Sequence, residues 1–342
     1  MKSFKQTLVM LSALTLLHAA RADVLTSFSR ELMLSTYATL AERCETLASA
    51  VSSAVEQPSA ETVDAARVAW KAAREPWESS EAFLFGPVDT EGHDPLLDSW
   101  PVNLTDLQKV LDDAGASVDG EALKELGEGF TGFHVVEYFL FADPSGTPVD
   151  SQAVADQLRA DPRRARYLAA SARQMQQQAA ALLADYDATG NNFIRHVSGA
   201  GVDSDLYVSK EAVLDEVVMA MVGILEEIRT AKLLEPAETG DASLLESRFS
   251  ANTTDDIGNN LKGVTMSFGT VVEPLMGDAS TEILAALSSA SDAVARIPAD
   301  QFNTDPGAVL DSVTEAAQSV GHVQQLLEAH VVPRIAELSQ QL

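Results

Sequence analysis

The run GFHVVEYFLF, Gly132 to Phe141, is apolar except for a few polar groups, and two of these, His134 and Glu137, stand three residues apart. On a helix that spacing stacks the two side chains one turn apart on the same face. A carboxylate in so apolar a setting must be protonated, hydrogen-bonded, ion-paired or bound to a metal, because its desolvation is otherwise too costly. An imidazole beside it suits divalent-metal ligation or acid–base work. A satisfied structural pair fits the same four letters, so context has to supply the weight. Leu123, Leu126, Phe130, Phe133, position 137 and Leu140 follow helical spacing, which predicts one helix from about Glu121 to Phe141 with Glu137 in its inward seam.

Further oxygen donors stand nearby in the text. The helix before this one carries Val63, Ala66, Trp70, Ala73, Trp77 and Leu84 as an inward stripe, with Glu81 one turn beyond Trp77 and Glu78 beside it. Glu78 and Glu81 can face the third helix. The alternative pairs Glu78 with Arg74 at i, i+4 and leaves Glu81 as a polar helix end. Asp98, in LDSWP, is a third acidic candidate, with a turn cap as its alternative. One imidazole with several carboxylates suits iron, manganese or zinc better than copper(I). A ferritin-like dinuclear centre needs two Glu-x-x-His helices, and here one stands in reversed order, so a single metal is expected.

Other chemistries find no footing. The motif H-E-x-x-H is missing, H-x-x-E-H fails at Tyr138, and no G-x-S-x-G or phosphate-binding glycine loop is present. His93, His196, His322 and His330 are isolated, which predicts surface or loop roles. In the second half, ESRFSANTTDDIGNN sets Asp256 and Asn260 one turn apart with Arg248 nearby. With Arg74 and Trp77 they are expected to line a cleft, caps and a solvated face being the alternative.

The elements that must position these residues are helical, since alternating strand patterns are nearly absent. Helices are predicted at about Leu25 to Val55, from a Ser59 cap to Leu84 with a kink at Pro76, at Glu121 to Phe141, and at Asp150 to Asp187 with a break at Asp161-Pro162. A docked excursion, Gly86 to Gly120, holds a short helix at Leu104 to Leu111. After a polar linker come Leu206 to Leu234, Thr253 to Val272, Thr281 to Ile297 and Pro306 to Leu338. The fold class is all-α, with two four-helix-bundle-like domains, residues 23–190 and 206–342, around an interdomain cleft and joined by 191–205.

With 51 acidic against 23 basic residues in a chain of 342, the net charge is −28, which argues against nucleic acid as a partner. Lys2 and Lys5, the apolar run Leu8 to Leu17 and Ala20-Arg21-Ala22 read as a signal peptide over residues 1–22. Its removal takes three positive charges from −28 and leaves −31. The run is too short to span a bilayer, so an exported protein without a transmembrane segment in its mature part is expected, in the periplasm or outer cell envelope. Cys44 is the sole cysteine, which excludes an internal disulfide and a thiolate metal cluster.

Gly132-Phe133-His134-Val135-Val136-Glu137, together with REPWESSEAFLFGPVD, DSWPVN and ESRFSANTTDDIGNNLKGV, resembles the imelysin-like family over essentially the whole mature chain. The resemblance implies exported bacterial proteins of two helical bundles, with the His-x-x-Glu helix near the cleft. Members include iron-regulated proteins, periplasmic components of iron uptake and an insulin-cleaving protease. By resemblance, His134 and Glu137 match the motif, while Glu78, Glu81 and Asp98 fall where related metal-binding modules place acidic ligands. Two function classes follow. One is an iron-linked protein that binds a divalent metal, iron or zinc, or a small ligand or peptide, alongside envelope iron-transport components. The other is a metallopeptidase in which Glu137 is the catalytic carboxylate.

Overall fold

A computed structural model of the protein describes residues 24–342 except Ala114, so the expected signal peptide lies outside the described residues. Among them the regular structure is helical, apart from one isolated β-bridge between Ala142 and Pro148. Helix α1, Ser35–Glu56, follows a π-helical segment, Ser27–Leu34. Helix α2, Ala60–Ser80, opens on a capping box in which Ser59 and Thr62 each accept the other's backbone N–H. Pro76 lies inside α2, which nevertheless runs unbroken to Ser80 and passes into a 3-10 turn, Glu81–Phe83.

The excursion carries more structure than its Pro, Gly and Asp content suggests. It holds a short helix at Pro87–Thr90, then α3, His93–Asp98, and α4, Leu104–Asp112. The expected helix from Glu121 to Phe141 is in fact two, α5, Gly120–Leu126, and α6, Phe133–Phe141. Gly127, Gly129 and Gly132 divide them, each at positive φ, which a continuing right-handed helix cannot accommodate. The seam counted across that break is therefore not one face, and Leu126 is 40% exposed. Glu137 is buried for a different reason: all nine residues of α6 are enclosed.

Helix α7, Ser151–Ala160, meets α8, Pro162–Tyr186, at Asp161, whose carboxylate caps α8 by accepting from Arg163 and Arg164 N–H. After a short helix at Phe193–Ser198 come α9, Lys210–Glu227, α10, Thr253–Ser267, α11, Thr281–Ala295, and α12, Leu310–His330. Helices α9 and α10 each continue into a π-helical segment, Ile228–Leu234 and Phe268–Val272, followed closely by Pro236 and Pro274. A proline crowds the carbonyl four residues back, and the wider π turn makes room for it.

Helix α1 packs against both α2 and α8, α12 packs against both α9 and α11, and α10 joins α2 to α11 in the second half. Apolar residues from both halves form one continuous core. Where α10 crosses α2 the backbones touch: a Cβ on Gly263 would lie 2.1 Å from the Ser79 carbonyl oxygen. No described helix is long and apolar enough to cross a membrane.

Candidate metal centre

Four of the five residues expected to line a cleft, Arg74, Trp77, Asp256 and Asn260, are buried where the two halves meet. The fifth, Arg248, is partly buried and lies over the Phe249 ring at 4.3 Å. Arg74 stands at the centre of the cluster. Its Nη1 donates to Asp98 Oδ1 at 2.5 Å, its Nη2 to Glu246 Oε1 at 3.1 Å and to Asp256 Oδ2 at 3.3 Å, and its Nε to Asp256 Oδ1 at 3.4 Å. It also pairs with Glu78 one turn along α2, as the i, i+4 alternative expects. The Phe133 and Trp70 rings lie 5.1 and 5.8 Å from the guanidinium, and Trp70 Nε1–H fixes the Phe133 carbonyl at 2.9 Å.

A second cation enters from the π-helical segment after α9. Lys232 Nζ lies 3.2 Å from Glu78 Oε2, 2.9 Å from Glu81 Oε2 and 2.9 Å from Glu246 Oε2. Asn260 on α10 adds its amide, donating to Glu81 at 2.6 Å and to the Glu78 carboxylate at 2.8 Å.

His134 lies against this cluster with its two nitrogens facing opposite ways. Nδ1 meets Glu137 Oε2 at 3.1 Å, and Glu137 Oε1 accepts both the backbone N–H and the hydroxyl of Ser250 at 2.8 Å. Nε2 faces Asp98 Oδ1 at 3.0 Å and Glu246 Oε1 at 3.9 Å, yet makes no properly directed hydrogen bond. Asp98, His134 and Glu246 each offer one donor atom within 4.8 Å of the others, and Glu78, Glu81, Asp98 and Glu246 form a second such group. Glu137 belongs to neither group; its place is on the far side of the imidazole.

Local sequence explains this placement. Gly132 at φ +95° has no Cβ, which would sit 2.5 Å from the Leu97 carbonyl oxygen. Its absence brings the start of α6 onto the end of α3, and so His134 onto Asp98. Trp77 Nε1–H holds the other Asp98 oxygen. At the opposite end of α3, His93 is buried, contrary to the expected surface role. Its Nε2 pairs with Asp185 at 2.9 Å and its Nδ1 with Gln178 at 2.7 Å, both on α8. Lying apart in sequence from every other histidine did not make it exposed, since its partners come from another helix.

Six carboxylates, Glu78, Glu81, Asp98, Glu137, Glu246 and Asp256, meet two permanent cations and one imidazole. Even a protonated His134 leaves a negative surplus in a buried site. Burial works against the charge on His134, but Asp98 and Glu137 outweigh it and hold the imidazole up at about 9. Burial likewise opposes ionisation of Asp98 and Glu246, yet Arg74 and His134 hold Asp98 well below the usual carboxylate range, and Lys232 and Arg74 lower Glu246. On Glu78 and Glu81 burial prevails, raising Glu78 and pushing Glu81 up to about 8. Burial raises Asp256 as well, so Glu78, Glu81 and Asp256 are the carboxyls that most resist ionisation, and a cation can replace protons there.

Asp94, one turn before Asp98, shows the same field at the rim. Burial and the neighbouring acids Asp98 and Glu227 push it up to about 6. Because its folded pKa exceeds the unfolded value near 4, its contribution is favourable below pH ~4 and is lost as pH rises through about 6. Asp94→Asn should therefore stabilise the protein at pH 7.5 by about 1–2 kcal/mol, allowing for partial exposure, and do nothing at pH 4. Urea unfolding at both pH values checks this; equal gains at both would refute the charge argument.

The comparison with known sequences places the chain. A family model described as imelysin matches residues 33–332. The chain belongs to the imelysin family. It is 28% identical over 238 residues to iron-regulated protein A of Synechococcus elongatus, a match covering 69% of this chain and 61% of that protein. The chain thus spans less than two thirds of that relative's length. Its fold is similar to the crystal structure of a putative iron-regulated protein A precursor from Parabacteroides distasonis, with a TM-score of 0.75, 21% identity and coverage of 90% and 94% of the two chains. It is also similar to an imelysin-like protein from Psychrobacter arcticum, with a TM-score of 0.68, 14% identity and coverage of 93% and 96%.

Two members of this imelysin's cluster are absent from the expected set. Lys232 falls four residues beyond Ile228, on the inward stripe of Val213, Leu214, Val217, Met221, Ile224, Leu225 and Ile228. A lysine continuing an apolar stripe was the available signal. Glu246 opens the polar stretch ESRFSANTTDDIGNN, where nothing in its spacing distinguishes it from the polar residues around it.

Proposed function

We propose that this imelysin binds a single divalent cation, iron or zinc, through Asp98, His134 and Glu246, and that it serves iron handling as an exported protein of the periplasm or outer envelope. The observation that carries the reading is the set of contacts around His134. Nδ1 is oriented by Glu137, which Ser250 anchors in turn, while the buried Nε2 lacks a directed hydrogen bond and faces two carboxylates held ionised. A ligating histidine is ordinarily held in this way, with the far ring nitrogen on a carboxylate and the near one toward the metal. One nitrogen and two oxygens suit a borderline divalent ion. The word iron-regulated in the relatives' names supports iron, and the leading residues 1–22 support export.

Burial weighs against peptide cleavage at the same place. His134 is 1% exposed and Glu137 fully enclosed with both oxygens engaged, so neither faces a substrate carbonyl. The ≈640 Å³ surface groove is lined by Lys71, Glu75, Asn252 and Ser291 and by none of Asp98, His134, Glu137 or Glu246.

Metal analysis and calorimetry on the purified protein, with Zn²⁺ and anaerobic Fe²⁺, test the proposal. One ion per chain is expected, and His134→Ala should weaken binding at least about 100-fold. Undiminished binding by His134→Ala would sink the ligand assignment. Metal-dependent cleavage of an unfolded protein, lost in a folded Glu137→Ala variant, would favour the metallopeptidase instead.

A further inference from the structure

The two donor groups share Asp98 and Glu246 but differ in what already fills them. The one built on His134 meets the Arg74 guanidinium at Asp98 and Glu246, and Lys232 reaches it only at the other Glu246 oxygen. The one built on Glu78 and Glu81 receives Lys232, whose side chain is 0% exposed and whose Nζ lies within 3.2 Å of Glu78, Glu81 and Glu246. An ammonium carries three N–H groups, and here it meets three carboxylates.

Lys232 compensates the charge and donates to Glu78 Oε2 and Glu81 Oε2, but other oxygens of the cage stay unsatisfied. Glu78 Oε1 and Glu246 Oε2 are buried without a directed hydrogen bond, although cations lie beside both. The Asn260 carbonyl oxygen, on the residue whose amide grips Glu78 and Glu81, is also without a partner. Donor atoms of this kind fit a cation that takes oxygen ligands from several directions better than they fit a tetrahedral ammonium on one tether. Of the three ammonium N–H groups two find directed acceptors, on Glu78 and Glu81, while the contact with Glu246 Oε2 is undirected.

We propose that Lys232 is a tethered cation standing in the second compartment of the acidic cage, so that the chain takes one divalent ion where its donor atoms would hold two. The proposal rests on the reading of Asp98, His134 and Glu246 as the first compartment. Lys232 then sets the stoichiometry, and by holding Glu78, Glu81 and Glu246 together it keeps the shared Glu246 aimed at both compartments.

Zn²⁺ calorimetry with metal analysis after gel filtration, on wild type, Lys232→Met and Lys232→Gln, tests it. Wild type should take one Zn²⁺ per chain and each variant two, with the added ion lost when Glu81→Gln is introduced. Both variants should unfold at lower urea than wild type without Zn²⁺ and recover with it. One ion in wild type and still one in the variants overturns the stand-in while sparing the first compartment. No ion in wild type but one, dependent on Glu81, in the variants upholds the stand-in and overturns the first compartment. If neither variant folds even in excess Zn²⁺, the stand-in is overturned, because a cage that accepts the ion in place of the ammonium must be rescued by it.

Discussion

Arg74→Met is expected to destabilise the protein by about 3–5 kcal/mol at neutral pH, enough to unfold a large share of molecules. Methionine keeps most of the length and the apolar contact with Trp70 and Phe133. What it removes is the charge that Asp98, Glu78, Glu246 and Asp256 share. Burial opposes the charged form of Arg74, and those four carboxylates more than compensate, raising its pKa. Without it they are left buried with only Lys232 and His134 for compensation. Their pKa values must rise, so the folded variant binds more protons than the unfolded chain does. Its stability therefore grows as pH falls toward the unfolded carboxylate range near 4. Urea unfolding should show a deficit against wild type that is largest at pH 7.5 and smaller at pH 5. Arg74→Lys should lie between, since it keeps the charge but loses the fork in which Nε and Nη2 both meet Asp256. A deficit independent of pH would assign the loss to packing.

What the sequence made legible follows the range of the interactions involved. The Ser59 cap of α2, the Asp161-Pro162 start of α8 and the stripe of α9 are local, and the helices form where those signals stand. The break between α5 and α6 is local too. It went unread because Leu123, Phe130 and Phe133 keep helical spacing across glycines whose positive φ no spacing reveals. The site is different in kind. Arg74 and Glu78 are four apart and readable as a pair, but Lys232 reaches Glu78 across 154 residues and Asn260 across 182. Glu137 is buried although the seam that predicts its burial is not one helix. Its position on Nδ1, with Ser250 behind it, required the second half of the chain to be folded onto the first.

Gly132→Ala should be about as damaging as loss of Arg74, through geometry and not charge. At φ +95° an alanine is strained by about 1–3 kcal/mol. Its methyl would also meet the Leu97 carbonyl oxygen at 2.5 Å and that of Leu96 at 3.1 Å, both backbone atoms that cannot rotate away. Relief requires α6 to move off α3, so the 3.0 Å approach of His134 Nε2 to Asp98 must lengthen. Asp98 is the strongest influence holding the His134 pKa up against burial. With Asp98 withdrawn, the imidazole should titrate well below about 9, and NMR titration of its ring protons reads this directly. Zn²⁺ affinity should fall with it. Gly127→Ala supplies the control: φ is +85°, the same strain, but nothing lies within 4 Å of the added methyl. That variant should lose only the strain, about 1–3 kcal/mol, and leave the His134 titration where it was. An unshifted titration in a folded Gly132→Ala protein would mean that α3 and α6 hold their places by other contacts. The glycine that opens the motif would then be a matter of backbone conformation alone.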